Sequence, residues 1–249
     1  MRYFISLAYK GTDFHGWQIQ PNAISVQQVV NEGLSVLLKD QISTLGAGRT
    51  DTGVHAKQMY AHFNTNVPFD CDEITYRLNA FLNHDVVVKS IFPVAEDVHA
   101  RFDASSRVYE YWLIQEKNPF LKDAAWLVYG ALDFELMNEA SAYLSEVSDF
   151  TSFAKVHSDV KTHICDVREA RWEFKDGVWV FTIEADRFLR NMVRAIVGTL
   201  VELGKSKITL EQFKEIIKKL DRGAAGVSAP ARGLYLTQVD YPESRLNGV

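Results

Sequence analysis

The chain has 249 residues, a formal net charge of −5, 47% hydrophobic residues and 24% charged residues. Those proportions describe a globular protein with enough chain for one large domain or two smaller ones, and with no need of disulfide staples. The acidic balance argues against a protein basic all over, but leaves room for a local basic groove on an acidic body.

The two cysteines, Cys71 and Cys165, match neither zinc-site spacing nor a disulfide framework, so both are expected as reduced thiols. The N-terminal apolar run is too short for a signal peptide. The longest apolar stretch, MVRAIVGTLVELG, is interrupted by Arg194 and Glu202, so no membrane span is expected and the protein is read as cytoplasmic.

In chain order, RYFISLAYKG reads as a strand whose weak alternation suits a central position. SVQQVVNEGLSVLLKD has apolar residues at helical spacing, with Ser25 as N-cap. ISTLGA reads as a strand entering a glycine-rich loop. AKQMYAHFNT alternates as a half-buried strand, with Met59, Ala61 and Phe63 on one face. DCDEITYRLNAFLNHD reads as a helix and VVVKSIFPV as a strand. The second half repeats the pattern with strand RVYEYWLIQ, helix DFELMNEASAYLSEV, and a hairpin turning at Asp176-Gly177. RFLRNMVRAIVGTLVEL and TLEQFKEIIKKL follow as helices, and GLYLTQVDY as a closing strand. The expectation is an α+β protein of two similar lobes, roughly 1–105 and 106–249, whose sheets can join.

The segment with the most chemistry is GAGRTDTGVHA at residues 46–56. It lacks the lysine of a Walker phosphate loop, and its GxGxxxxG spacing leads into a strand rather than a helix, unlike a dinucleotide fingerprint. Two readings stay open from the residues alone. The glycines can serve a tight turn with Arg49 and Asp51 as a surface ion pair. Alternatively, the loop holds Asp51 rigidly as a reactive carboxylate, kept ionised by nearby cations.

GRTDTGVHA resembles the signature loop of the tRNA pseudouridine synthase A family. Further segments resemble that family's blocks in order along nearly the whole chain: AYKGTDFHGWQIQ (8–20), HARFDASSRVYEYWL (99–113), DFTSF (149–153), FLRNMVRAIVGTLVELG (188–204) and GLYLTQVDY (233–241). Lys10, Thr52 and, within Leu82-Asn83-His84-Asp85, Asn83 and His84 depart from the family's usual residues, at positions that spare Arg49 and Asp51. The resemblance implies the pseudouridine synthase fold, two similar α/β lobes with antiparallel sheets around a central cleft, usually as a homodimer. It implies conversion of uridine to pseudouridine at positions 38, 39 and 40 of the tRNA anticodon stem-loop, with tRNA as partner and no metal, nucleotide or redox cofactor.

The same resemblance makes Asp51 the catalytic aspartate, Arg194 its counter-charge, and Tyr109 the tyrosine that stacks on the extruded uracil. Tyr111 shares a strand face with Tyr109 and is the alternative tyrosine. Arg187, Arg190 and Arg194 fall at i, i+3 and i+7, one stripe of the expected helix, which makes Arg187 and Arg190 candidate phosphate contacts. Arg49 is a candidate for the substrate's phosphate or for the space the base vacates. His55 is a possible RNA contact or a packed histidine. Phe14 and Trp17 are either cleft wall or core. Lys10, Arg107 and Lys161 are candidates for a basic rim. The main rival function is a non-catalytic RNA-binding module, against which Asp51 argues, because a carboxylate repels phosphate.

Overall fold

The computed structural model describes residues 1–156 and 160–246. The chain divides into two units. One comprises Met1–Arg107 together with the chain from Tyr235 on, and the other is Val108–Leu234. The first boundary falls beside the expected one. The second differs from the expected 106–249 lobe, because the closing strand returns to the first unit.

In the first unit β1 (Arg2–Tyr9) lies between β4 (Val86–Val94) and β3 (His55–Asn64), antiparallel to both. Its near-continuous burial follows from that central place. The short β2 (Leu45–Gly46) pairs with the far end of β3, through Leu45 with His62 and Gly46 with Ala61. Beside the near end of β3 runs β9 (Leu234–Asp240), parallel, with His55 opposite Tyr235. This departs from purely antiparallel sheets: β9 arrives by a long connection, and only a hairpin would force the antiparallel sense. Gln58 Oε1 accepts from the Val239 amide at 2.8 Å, and the Tyr241 hydroxyl donates to the Ala100 carbonyl at 2.6 Å, fixing the returning segment.

Two longer helices belong to this unit. In α1 (Val26–Leu38) the Ser25 hydroxyl caps the first turn by accepting from the Gln28 amide, and Val26, Val30, Leu34 and Leu38 are buried at helical spacing. The other helix, α2 (Cys71–Phe81), is capped by Asp70 and contributes Ile74 and Leu78 to the core.

In the second unit β5 (Ser106–Ile114) is followed in sheet order by β8 (Val178–Ala185) and then β7 (Val167–Lys175), with β6 (Trp126–Leu127) parallel beside β5. The β7–β8 hairpin turns where expected. Asp176 and Gly177 have φ of 51° and 81°, the paired left-handed residues of a two-residue turn. α3 (Phe134–Tyr143) and α5 (Leu210–Lys218) are amphipathic, and α5 opens with a capping box between Thr209 and Gln212.

Between them in sequence, α4 (Met192–Gly204) is buried on almost every side; only Arg194 and Glu202 escape full burial. The apolar stretch is therefore an interior helix. It begins five residues later than its sequence pattern indicates. Asn191 takes a left-handed conformation, φ 67°, which breaks the helix geometry, and its amide donates to Ser228 Oγ at 2.6 Å. A four-residue helix α6 (Glu243–Leu246) ends the described chain. No helix among the described residues is long and apolar enough to cross a membrane. Both cysteines are free, and burial pushes the Cys165 thiol up to about 12.

Candidate active site

In the first unit the glycine-rich loop joins β2 to β3 and is braced by the 9–17 segment on its near side. The Thr50 carbonyl accepts from the Trp17 amide at 3.3 Å, and the Thr50 hydroxyl lies 2.8 Å from that of Tyr9. The Gly53 amide donates to the Phe14 carbonyl at 3.2 Å. Asp51 therefore sits between two residues that are both tied down, and its own carbonyl accepts from the Val54 amide at 3.1 Å. The Ala47 amide is tied to the Tyr60 carbonyl at 2.7 Å.

Two glycines make this close fit possible. Gly16 has φ +81°, and a Cβ there would lie 2.2 Å from the Thr50 carbonyl oxygen. Gly53 has φ +79°, which a side chain would strain. Gly48 has open space around it, so only part of the glycine punctuation is steric.

The carboxylate of Asp51 belongs to a half-buried residue, while Arg49 and Thr52 are exposed. Phe14 and Trp17 are core residues rather than a wall, both nearly inaccessible. His55 is 2% exposed. Its Nδ1 accepts from the Gly11 amide at 3.0 Å, and its ring stacks on Tyr235 at 4.6 Å. This corrects the reading of His55 as an RNA contact: it is a packed histidine that anchors the start of β3. Arg107 is likewise not a rim cation. Its guanidinium donates to three carbonyls, those of Ala47, Arg101 and Ala104. Lys10, by contrast, is exposed, and its amide donates to the carbonyl of Asp85, the residue after the Asn83-His84 departure, at 2.8 Å.

In the second unit the two tyrosines of β5 separate cleanly. Tyr111 is fully buried, and its hydroxyl donates to the Pro230 carbonyl at 2.8 Å. Burial drives that hydroxyl far above the ordinary tyrosine range, with Arg194 and Arg232 pulling it part of the way back. Tyr109 is half-buried, and its ring meets Phe188 edge-on at 5.0 Å.

The three arginines do not form one helical stripe. Arg187 lies in the connection after β8, where its amide donates to Asp186 Oδ1 at 2.7 Å. Arg190 is exposed in the turn before α4, and its carbonyl accepts from the Lys155 amide at 3.0 Å. Arg194 alone is helical. Its Nε donates to the Ala229 carbonyl at 2.7 Å, and its own carbonyl accepts from the Ala229 amide at 2.9 Å. The guanidinium is thus aimed by a two-point contact with the 225–230 segment. The sequence pattern missed Ala229, since a backbone carbonyl leaves no signature in residue type.

The sequence model described as tRNA pseudouridine synthase matches residues 142–242. Similar proteins extend the match over nearly the whole chain. A tRNA pseudouridine synthase A of Bacteroides thetaiotaomicron is 52% identical over 245 residues, covering 97% of this chain and 91% of its own length. One from Porphyromonas gingivalis is also 52% identical over 245 residues, covering 97% of each chain. The more distant Acetivibrio thermocellus protein of the same name is 39% identical over 237 residues, covering 94% of this chain and 97% of its own.

Proposed function

The chain belongs to the tRNA pseudouridine synthase A family, and from that membership we propose that it isomerises uridine to pseudouridine in tRNA, at positions 38, 39 and 40 of the anticodon stem-loop, with Asp51 as the reacting carboxylate. The observation that carries this reading is the pinning of Asp51. Thr50 and Gly53 are both hydrogen-bonded to the 9–17 segment, so the carboxylate is held on a rigid loop, as a reacting group must be.

The reaction breaks the N1–C1′ bond of uridine and forms C5–C1′. The C5 proton leaves to solvent, and N1 gains a proton. Nothing is oxidised or hydrolysed, and no cofactor is called for. An ionised aspartate serves either of two routes: it can add to C1′, or it can remove the C2′ proton. Arg194, aimed by Ala229, is proposed as the cation that keeps Asp51 ionised. Tyr109 is proposed to stack on the extruded uracil, with its hydroxyl placed to help the proton leave C5.

A uridine stacked in the anticodon arm must leave the stack to be reached. Extrusion costs a few kcal/mol, which pocket contacts offset. A-form grooves hide base edges, so recognition rests on backbone and shape. Exposed Arg49 and Arg190, with Arg187, are the proposed phosphate contacts. A homodimer presenting both protomers to each tRNA, working in the cytoplasm, completes the proposal.

The test is release of tritium from tRNA labelled at C5 of uridine, run without added cofactor, with the modified positions then mapped. Release matched by pseudouridine formed at positions 38–40 is expected. No release from an unmodified tRNA transcript would refute the activity.

A further inference from the structure

The turn at residues 99–104 carries an exposed aromatic ring that the proposed chemistry does not use. Phe102 is 74% exposed. Isolated exposed apolar residues are common, but this one is held in place. The His99 ring lies against it at 4.3 Å with the planes 33° apart, and the Arg101 guanidinium stands over the ring, 5.7 Å from its centroid. His99 itself is locked. Its Nδ1 accepts from the amides of Arg101 and Phe102, at 3.1 and 3.3 Å, and its own amide donates to Asp103 Oδ2 at 2.8 Å. Beneath it, His62 meets the His99 ring edge-on at 4.6 Å.

The turn is also connected to the catalytic loop. One nitrogen of Arg107 donates both to the Arg101 carbonyl, at 2.6 Å, and to the Ala47 carbonyl, at 3.2 Å. Ala47 precedes Arg49 and Asp51 in the same loop. A single guanidinium therefore sets the distance between the Phe102 turn and the loop that carries the reacting carboxylate.

We propose that Phe102, with Arg101 beside it, is a stacking platform for one unpaired base of the tRNA, held at a fixed distance from the catalytic loop by Arg107. The inference rests on the tRNA reading above and adds a binding element to it. The ring lies against an imidazole and under a guanidinium, yet stays 74% exposed, so a base on its open surface would complete a stack. A neighbouring guanidinium adds a cation–π contribution and a phosphate contact. Such a platform is indifferent to base identity, because every base has a π-face. That suits an enzyme proposed to act at several positions in different tRNAs.

The test uses the full-length protein and an unmodified tRNA transcript. Phe102→Ala should weaken tRNA binding about 10- to 100-fold, the range expected for loss of one base–aromatic stack. It should raise KM by more than it lowers kcat. Phe102→Trp should restore affinity, and Phe102→Leu, which keeps apolar bulk without a π-face, should not. Arg101→Ala should weaken binding and flatten its salt dependence, whereas Phe102→Ala should leave the salt slope unchanged.

Wild-type affinity in Phe102→Ala would overturn the proposal. So would rescue by leucine, which would make the role plain packing. Loss of dimer mass in light scattering by Phe102→Ala would overturn it too, placing Phe102 at a contact between copies. Absence of tritium release by the wild-type protein would instead refute the enzymatic reading, so the two failures are told apart.

Discussion

Gly16 passes so close to Thr50 that a Cβ on Gly16 would stand 2.2 Å from the Thr50 carbonyl oxygen, one residue before Asp51. That oxygen accepts from the Trp17 amide, so the contact is also the brace of the loop. Gly16→Ala adds strain at φ +81° and drives the carbonyl away. The expected result is a loss of at least about 2 kcal/mol of stability. A displacement of about 1 Å at Asp51 should also lower turnover about 100-fold. Urea unfolding and tritium release measure the two effects. An alanine variant with wild-type turnover would show that the brace does not position Asp51.

The two tyrosines of β5 should part in their phenotypes. Tyr111→Phe leaves the half-buried Pro230 carbonyl without its donor and should cost about 1 kcal/mol of stability, with turnover within a few-fold of wild type. Tyr109→Phe keeps the ring that packs on Phe188, so stability and tRNA affinity should hold. Turnover should fall about 100-fold or more if its hydroxyl assists proton movement. The reverse pattern would transfer the role to Tyr111.

Arg194 and Arg190 should differ in kind. Arg194→Lys keeps a charge but loses the fork that Ala229 aims, so turnover should drop with little change in tRNA affinity. Arg190→Ala should weaken every tRNA alike and reduce the log–log salt slope by about 0.7–0.9, the value for one phosphate. Matching losses of affinity in both variants, with turnover at saturation intact, would make Arg194 a phosphate contact too.

His62 gives the first unit a dependence on pH. It is 3% exposed, and its Nδ1 accepts from the Ala100 amide at 3.2 Å. Burial, reinforced by Arg2 and His99, lowers its pKa to about 4, below its ordinary 6.5. His99 is lowered as well, first by burial and then by Arg2, against Asp103. The folded protein thus binds fewer protons than the unfolded chain between those values. Stability is full above about pH 6.5 and falls as the pH drops toward about 4, where His62 contributes no further loss. The decline from His62 should reach about 3 kcal/mol. His62→Asn, whose carbonyl oxygen can take over the Ala100 contact, should flatten the decline measured by urea unfolding from about pH 7 to about pH 4.5. An unchanged slope would assign the pH dependence to other groups.

Elements set by local chemistry were legible in the residues. Ser25 capped its helix, Val86–Val94 formed the expected strand, and Asp176-Gly177 turned the hairpin. The 46–56 loop and Asp51 also stood out, through glycine spacing and family resemblance. What escaped was non-local. Periodicity reports that GLYLTQVDY is a strand, but not that it lies beside β3 and returns to the first unit. The helical spacing of Arg187, Arg190 and Arg194 was misleading, because a left-handed Asn191 interrupts it, and asparagine tolerates that conformation without announcing it. His55 and Arg107 carry polar chemistry in type, yet the fold uses both to hold backbone groups. No residue pattern distinguishes such use from a surface role.

The central claim is that the pinned Asp51 carboxylate performs the isomerisation, and Asp51→Asn tests it most directly. The amide fills the same space and leaves the Asp51 carbonyl to accept from Val54 as before. Tritium release from C5-labelled tRNA should be followed at saturating tRNA, beside a binding measurement on the same preparation. The account predicts wild-type stability, retained tRNA binding, and release reduced by at least about 1,000-fold, since the amide can neither add to C1′ nor remove a proton. Release within a few-fold of wild type would contradict it and return Asp51 to a structural turn.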